Sequence, residues 1–366
     1  MAAEDFAILV GISKYSSSDL THLKGPPRDV QLMRDWLLDV DGGNVPEKNI
    51  RTLISPVGEL QGVPRKAKPD SQEFADLFRE VVSDENDVPI RRMNSRLYLF
   101  FSGHGYCDMF DENPNVTLYA ANASQSFPHN IPGTTFALRA KTNACFGEII
   151  LIMDCCRDAD VGKGIAEVAM TKSVSVGTSA KVKLLTIYGS PKGGKALERP
   201  IPHLNGEVYG LLTAAVVKAL RECPLDALGA RTGERLKSYI QNDWKALCGD
   251  KPVDLPEITP PAGLDIQLTR NGALPTQGFD ISELGGGDLN IRITNGVDTI
   301  ALCTLPANRT NAKVQLGATG IDQPLTVAGS VFQLSLNKGL YLYEIGKEKK
   351  SGFFQIPGAG HVRLKG

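Results

Sequence analysis

The chain reads as an α/β domain built on a mostly parallel sheet flanked by helices, followed by a smaller all-β sandwich domain. Three observations predict this. Short apolar runs alternate with longer amphipathic stretches up to about residue 270, the texture of strands joined by crossover helices. Two of the runs, Leu99-Phe-Phe and Ile149-Ile-Leu-Ile-Met, are apolar at every position, as strands buried on both faces require. After about residue 275 the helical period disappears, and short β-prone runs separated by turn residues take its place.

The elements follow in order. Strands are predicted at 6–12, 51–54, 96–101, 148–154, 182–188 and 264–268. A first helix is expected over 29–39, with Val30, Met33 and Leu37 on one face. A second spans 70–82, where Asp70 and Glu73 have capping-box spacing and Phe74, Leu77, Phe78 and Val81 form the stripe. Helical patterns also cover 206–221 and 232–247, the latter carrying Leu236, Ile240, Trp244 and Leu247. Beyond them lie Asn290-Ile-Arg-Ile-Thr, Thr299-Ile-Ala-Leu-Cys, Val331-Phe-Gln-Leu-Ser-Leu, Tyr341-Leu-Tyr-Glu-Ile and Gly352-Phe-Phe-Gln-Ile, separated by turns such as Asn295-Gly296. The expected domains are 1–270 and 279–366.

Composition bounds the function. A length of 366 residues favours about two domains, each able to bury a core without staples. With 40 basic and 41 acidic residues the formal charge is −1, so no global field draws the chain to nucleic acid or to a membrane. Seven cysteines, an odd number with no Cys-x-x-Cys pair, point to a reducing compartment and away from a disulfide framework or structural zinc. The first strand starts close to Met1, leaving no room for a signal peptide, and the longest apolar candidate for a span, 210–220, is interrupted by Lys218. A cytoplasmic protein is expected.

Two apolar runs end in reactive side chains. Leu99-Phe-Phe-Ser-Gly leads to His104, and 52 residues later, after Ile149-Ile-Leu-Ile-Met-Asp154-Cys155, comes Cys156. Ligands of parallel sheets bind at strand carboxyl ends, and a thiol and an imidazole delivered there make a nucleophile and base pair. The spacing is close to the roughly 50 residues of caspases. Further segments agree over about 6–270: Phe6-Ala-Ile-Leu-Val-Gly-Ile-Ser-Lys-Tyr15 as first strand, the turn Leu23-Lys-Gly-Pro-Pro-Arg-Asp29, the helix start Gly210-Leu-Leu-Thr-Ala-Ala215, and Lys251-Pro-Val-Asp-Leu-Pro256 ahead of the last strand. The chain thus resembles the caspase-like clan of cysteine peptidases, nearer its metacaspase and prokaryotic branch than animal caspases.

The resemblance implies a caspase-like fold and a set of roles. Cys156, the second residue after Asp154, would be the nucleophile, and Cys155, facing the other side, packing. His104 would be general base and later acid to the leaving amine. The backbone N–H groups of Gly105 and Cys156 would form the oxyanion hole. Asp154 stands where caspases that cut after Asp carry glutamine, and Asp29 matches the acidic residue of the family's first turn. Both are expected to receive a substrate Arg or Lys. Tyr188 to Lys195, with Tyr188 and Ser190, would line the substrate groove, although the family's usual Ser/Cys-x-x-Asp-Gln-type segment is absent there.

Other features are read as bland. Gly189-Ser-Pro-Lys-Gly-Gly-Lys195-Ala196 mimics a phosphate loop, but Ala196 lacks the hydroxyl that would hold magnesium, so a loop is expected. Asp108, Asp111 and Glu112 lack the oxygen density of a calcium site, and neither a metal nor a cofactor is expected. The small-residue segment 160–181, with Lys163, Lys172 and Lys181, is a candidate for maturation cleavage. The remaining cysteines read as structural. The expectation is a cysteine endopeptidase acting on protein substrates after Arg or Lys and controlled by a protein activator or regulator, by maturation or by the sandwich. From the resemblance, its role would lie in prokaryotic self-killing or antiphage defence. A catalytically silent scaffold and an acyl-transfer ligase on the same fold are the alternatives.

Overall fold

A computed structural model describes residues 4–55, 66–108, 115–124, 126–159, 164–168, 170, 175–225, 230–249, 253–262, 265–268, 276–284, 286–294, 299–316, 322–335, 339–346, 350–356 and 360–364. The chain divides into two compact units. One comprises residues 1–223 and 232–269; the other comprises 224–231 and 270–366.

In the first unit, strands β1 (Phe6–Ile12), β2 (Ile50–Ser55), β3 (Arg92–Ser102), β7 (Phe146–Asp154), β9 (Lys183–Tyr188) and β12 (Glu257–Thr259) form one sheet in the order β12-β9-β7-β3-β1-β2. All pairings are parallel except β12 with β9. A small sheet of β4 (Gly105–Cys107), β5 (Val116–Tyr119), β6 (Asn130–Ile131) and β8 (Asp158–Ala159) continues from the carboxyl ends of β3 and β7. A hairpin of β10 (Glu198–Ile201) and β11 (Glu207–Gly210) leads into a helix.

The two-residue period of the strands divides the core. Leu97, Leu99, Phe101, Ile149, Leu151 and Met153 pack on the side of helices α2 (Ser71–Val82) and α3 (Gly133–Thr142), through Phe74, Phe78, Phe136 and Ala140. Tyr98, Phe100, Ile150 and Ile152 face α1 (Pro26–Leu38), α5 (Leu211–Glu222) and α6 (Gly233–Cys248), through Val30, Trp36, Leu212, Val216 and Trp244. A short α4 (Val176–Ser179) precedes β9. Burial on both sheet faces is the reason these strands are apolar at every position. Asp70 and Thr232 cap α2 and α6 by accepting the N–H groups of Glu73 and Arg235.

Several expected boundaries move. The first helix starts at Pro26 rather than 29, because the missing N–H of proline is no loss in a first turn. Residues 207–210, expected as helix, pair instead with β10, so α5 begins at Leu211. Among the described residues the last strand of the sheet is β12, directly after Pro256, while residue 264 of the expected strand 264–268 lies outside them. Residues 265–268 make only a single bridge from Gln267 to Thr232, and the carbonyls of Gln267 and Leu268 are taken by the buried Arg96 guanidinium. Helix α3, with its glycine and two threonines in the first turn, gives little periodic signal and was not anticipated.

Among its described residues the second unit is built of β-strands, with one short 3-10 turn at Ser282–Leu284. One sheet contains Val327–Ala328, Val331–Ser335, Thr276–Asp280 and Gly360–Arg363, in that order. The other contains Asp322–Pro324, Lys313–Leu316, Thr299–Leu305, Leu289–Thr294, Gly339–Ile345 and Lys350–Ile356. Phe279, Phe332, Ile291, Ile293, Ile300 and Phe354 share its core. The turns at 295–296 and 357–359 lie outside the described residues.

Candidate active site

Strand alternation decides what happens where β7 ends. Met153 faces α3, so Asp154 faces α1 and α5, and Cys155 returns to the opposite side, where it is buried beside Gly105. A Cβ on Gly105 would stand 2.8 Å from Cys155 Cβ, so glycine there makes room for the packed cysteine. Cys156, one step further, is partly exposed and donates its thiol hydrogen to the Ala196 carbonyl at 3.5 Å. Burial pushes the Cys156 thiol above its ordinary value, and the Asp158 and Asp154 charges act in the same direction. Cys155 is pushed up further by its complete burial.

The segment after β3 turns through Gly103, at φ +153°, where a side chain would meet the Ile12 carbonyl and the Tyr15 hydroxyl, each at 2.9 Å. His104 follows, held at three points. Its N–H donates to the Tyr15 hydroxyl (2.8 Å), which itself donates to the Ile12 carbonyl (2.9 Å). Its carbonyl accepts the Tyr119 N–H at 2.9 Å. Its Nε2 lies 2.8 Å from the Thr21 carbonyl and 3.3 Å from the Thr21 hydroxyl. A carbonyl can only accept, so Nε2 carries a hydrogen, and in the neutral ring the lone pair is then on Nδ1. The bond from Tyr119 to His104 also fixes the phase of the β4–β5 ladder. In an antiparallel pair the next residue points its N–H the other way, so the Gly105 N–H is turned from β5 toward the side of β8, which Cys156 precedes.

Beside these two residues lies a cavity of about 250 Å³, lined by His104, Cys156, Asp29, Asp154, Glu198 and Gly210 among others. Asp29 accepts from the Ser102 hydroxyl (2.7 Å) and the Gly210 N–H (2.9 Å). Asp154 accepts both the N–H (2.9 Å) and the hydroxyl (2.6 Å) of Thr213, in the first turn of α5. Gly210 is compulsory here: a Cβ would overlap Asp154 Oδ2 and stand 3.1 Å from Asp29 Oδ2. Burial pushes both carboxyls up, Asp29 further because the Asp154 charge repels its own. Two such groups do not both ionise readily in an empty cavity, and a cation entering it would favour their ionised forms.

The structure therefore brings His104, Cys156, Asp29 and Asp154 together. Tyr188 and Ser190 are placed elsewhere: both are buried around the Arg157 side chain, which lies 4.5 Å from the Tyr188 ring centroid and donates to the Ser190 carbonyl at 3.0 Å. Arg157 also pairs with Glu257 of β12 at 2.6 Å. Its peptide binds Gly193 and Gly194, so the phosphate-loop mimic is a turn wrapped around the residue after Cys156. That turn receives the Gly193 N–H into the Arg157 carbonyl rather than presenting it to an anion.

Sequence reasoning passed over Glu198, Tyr15, Thr21, Ser102 and Thr213, which line the cavity or hold its residues in place. Ser102 and Thr213 sat inside the quoted motifs, and alternation from the apolar strand could have assigned Ser102 to the α1 side. Glu198, at the start of a hairpin, had no signal. Of the acidic residues after His104, Asp111 and Glu112 lie outside the described residues, as do Lys163 and Lys172; Lys181 is exposed. Among the described residues no cluster of three His, Cys, Asp or Glu side chains could hold a metal ion, and no helix is long and apolar enough to cross a membrane.

Comparison with known proteins gives three findings. The family model for the caspase domain (Peptidase_C14) matches residues 4–246. Over 108 residues, 28% of this chain, the sequence is 32% identical to a bacterial protein named as a probable protease, from a Desulfuromonadales bacterium, and the match spans 12% of that protein's length. The crystal structure of caspase-1 from Spodoptera frugiperda aligns at 13% identity and a TM-score of 0.43, over 70% of this chain and 86% of that one.

Proposed function

The chain belongs to the caspase-domain family of cysteine peptidases, and from that premise we propose that it is an endopeptidase with a His104–Cys156 dyad that cuts proteins after Arg or Lys. The observation that carries this reading is the single cavity shared by the thiol, the imidazole and two buried carboxylates. At rest the thiol is neutral and bonded to the Ala196 carbonyl. His104, with Nε2–H fixed on Thr21, keeps Nδ1 as the base that takes the thiol proton when substrate arrives, and later protonates the leaving amine. The Gly105 and Cys156 N–H groups would receive the developing oxyanion, where one donor contributes a rate factor of about 10² to 10³.

Asp29 and Asp154 define the substrate class. A substrate Asp would add a further acidic group to a partly desolvated pocket already lined by Asp29, Asp154 and Glu198, whereas a guanidinium or ammonium supplies the charge that these carboxylates lack. Maturation within 160–181 remains part of the proposal. It predicts that active protein separates into two chains on a denaturing gel. A positional-scanning panel of fluorogenic peptides tests the main reading: wild type should release product after Arg or Lys and Cys156→Ala should not. Cleavage after Asp with none after Arg or Lys would refute it. Mass analysis of the products separates hydrolysis, which leaves a free carboxylate, from ligation, which leaves a new amide.

A further inference from the structure

Resting on the reading of His104 and Cys156 as a dyad, we infer that Asn130 is a positioning residue. Its side-chain amide clamps residues 164–166, on the chain that leaves the nucleophile, to the small sheet that follows the histidine. Asn130 Nδ2 donates to the Gly164 carbonyl at 3.1 Å, and Asn130 Oδ1 accepts the Ala166 N–H at 3.1 Å. The Tyr106 hydroxyl donates to the same Gly164 carbonyl at 2.8 Å. One side-chain amide thus bonds the peptide groups on either side of Ile165, as a neighbouring strand would bond them.

The amide can face only one way. Its Oδ1 also accepts the Thr117 hydroxyl at 2.9 Å, and its Nδ2 also donates to the Pro128 carbonyl at 2.8 Å. Turned over, it would set oxygen against the Pro128 and Gly164 carbonyls and nitrogen against the Ala166 N–H. Asn130 is 4% exposed, and Thr117 and Tyr106 are buried with it, so these bonds are not readily exchanged for water. Beyond the clamp, Ile165, Val168 and Met170 are half-buried against the core on the α2 and α3 side. Val168 and Met170 share with Phe78, Val82 and Phe136 the lining of a cavity of about 600 Å³, while Glu167 between Ala166 and Val168 is exposed.

What the clamp joins gives it a catalytic consequence. Asn130 lies opposite Tyr119 in the β5–β6 pair, and the Tyr119 N–H donates to the His104 carbonyl. Tyr106, next after Gly105 on β4, stands opposite Asp158 of β8, just beyond Cys156. The chain beyond the nucleophile is therefore tied to the sheet of the histidine at the β4–β8 pair and again at Gly164 and Ala166. The β4–β8 pair is only two positions long, Tyr106 with Asp158 and Cys107 with Ala159, and the clamp reinforces it on the same chain. Catalysis depends on the placement of the Cys156 thiol and N–H against His104, and a misplacement of about 1 Å can cost about 10² in rate. Asn130 stands outside the cavity of Asp29 and Asp154, so its loss should act on the chemical step and spare substrate binding.

The test combines kinetics with proteolysis on the full chain. With the panel peptide that wild type cleaves best, Asn130→Ala should lower kcat about tenfold and leave KM within about twofold. Tyr106→Phe, which removes only the hydroxyl bond to Gly164 and keeps the ring, should lower kcat about threefold, and it carries the test should Asn130→Ala fail to fold. A glutamate-specific protease reads the clamped segment itself, in the Cys156→Ala background so that self-cleavage does not intrude. Cutting after Glu167 should be at least about tenfold faster once Asn130→Ala or Tyr106→Phe is added. Unchanged cutting after Glu167 in the folded variants overturns the clamp. Faster cutting with unchanged kcat overturns the positioning role, as does a rise in KM without loss of kcat. A wild-type chain that cleaves no peptide, while Asn130→Ala still opens Glu167 to the protease, overturns the dyad reading and supports the clamp.

Discussion

Replacing Gly210 by alanine should disable the pocket and destabilise the fold together. The residue ends β11 and precedes α5 at φ −62°, a conformation alanine adopts without strain, so the effect is one of space. The added methyl would overlap Asp154 Oδ2, stand 2.7 Å from its Cγ and come within 3.1 Å of Asp29 Oδ2. Neither carboxylate can yield freely. Moving Asp154 breaks its bonds from the Thr213 N–H (2.9 Å) and hydroxyl (2.6 Å), and moving the Gly210 backbone breaks its bond to Asp29 (2.9 Å). One or two buried polar groups left without partners cost about 2–4 kcal/mol in total. Displacement of the carboxylates by around 1 Å should lower kcat/KM on Arg peptides by about 10². Chemical denaturation and peptide hydrolysis measure the two effects. Gly177→Ala, where nothing lies within 4 Å of the new methyl, is the control and should stay within about 0.5 kcal/mol. Wild-type stability and Arg turnover in Gly210→Ala would refute the argument that these carboxylates are fixed against the glycine.

Further outcomes are expected. Cys156→Ala and His104→Ala should each abolish cleavage, and the double variant should be no worse, because the two act as one unit; Cys155→Ala should retain most activity. Tyr15→Phe removes a hydroxyl that accepts the His104 N–H and donates to Ile12, and should lower kcat several-fold with little change in KM. The pH dependence of stability should carry the mark of the aspartates. Their folded-state values are raised, so they bind protons more tightly folded than unfolded. The stability they contribute is complete below the ordinary carboxylate range of roughly 4 and is lost as pH rises through the raised values. Thermal melts of the empty enzyme should therefore decline between about pH 5 and 8. Asp29→Asn should flatten the decline, and an identical slope in that variant would show that the pair does not titrate as argued. Deleting the residues from about 279 should leave a folded unit that hydrolyses short peptides; loss of activity in a soluble, folded truncation would make the sandwich part of the active unit.

By itself the sequence determined the parallel core and two reactive ends within it. A strand buried on both faces must be apolar at every position, and a polar or nucleophilic residue that stops such a run has few other reasons to be there. That is why β3 and β7, and with them His104 and Cys156, were legible, and why the period of two could place Cys155 and Cys156 on different sides. Short amphipathic helices with good caps, α2 and α6, were legible for the same local reason. Tertiary structure decided everything that depends on segments meeting. The β10–β11 hairpin took residues from the expected helix because its pairing outweighs their propensity. The carbonyls of 267–268 went to Arg96 rather than to a strand. Tyr188 and Ser190, neighbours of the site in sequence, were drawn to Arg157, whose buried charge needs an ion pair and carbonyl acceptors. Glu198 entered the pocket from 44 residues beyond Asp154 in sequence, with no local pattern to announce it, because a cavity is made by chains converging in space and each wall's residues are ordinary until they meet.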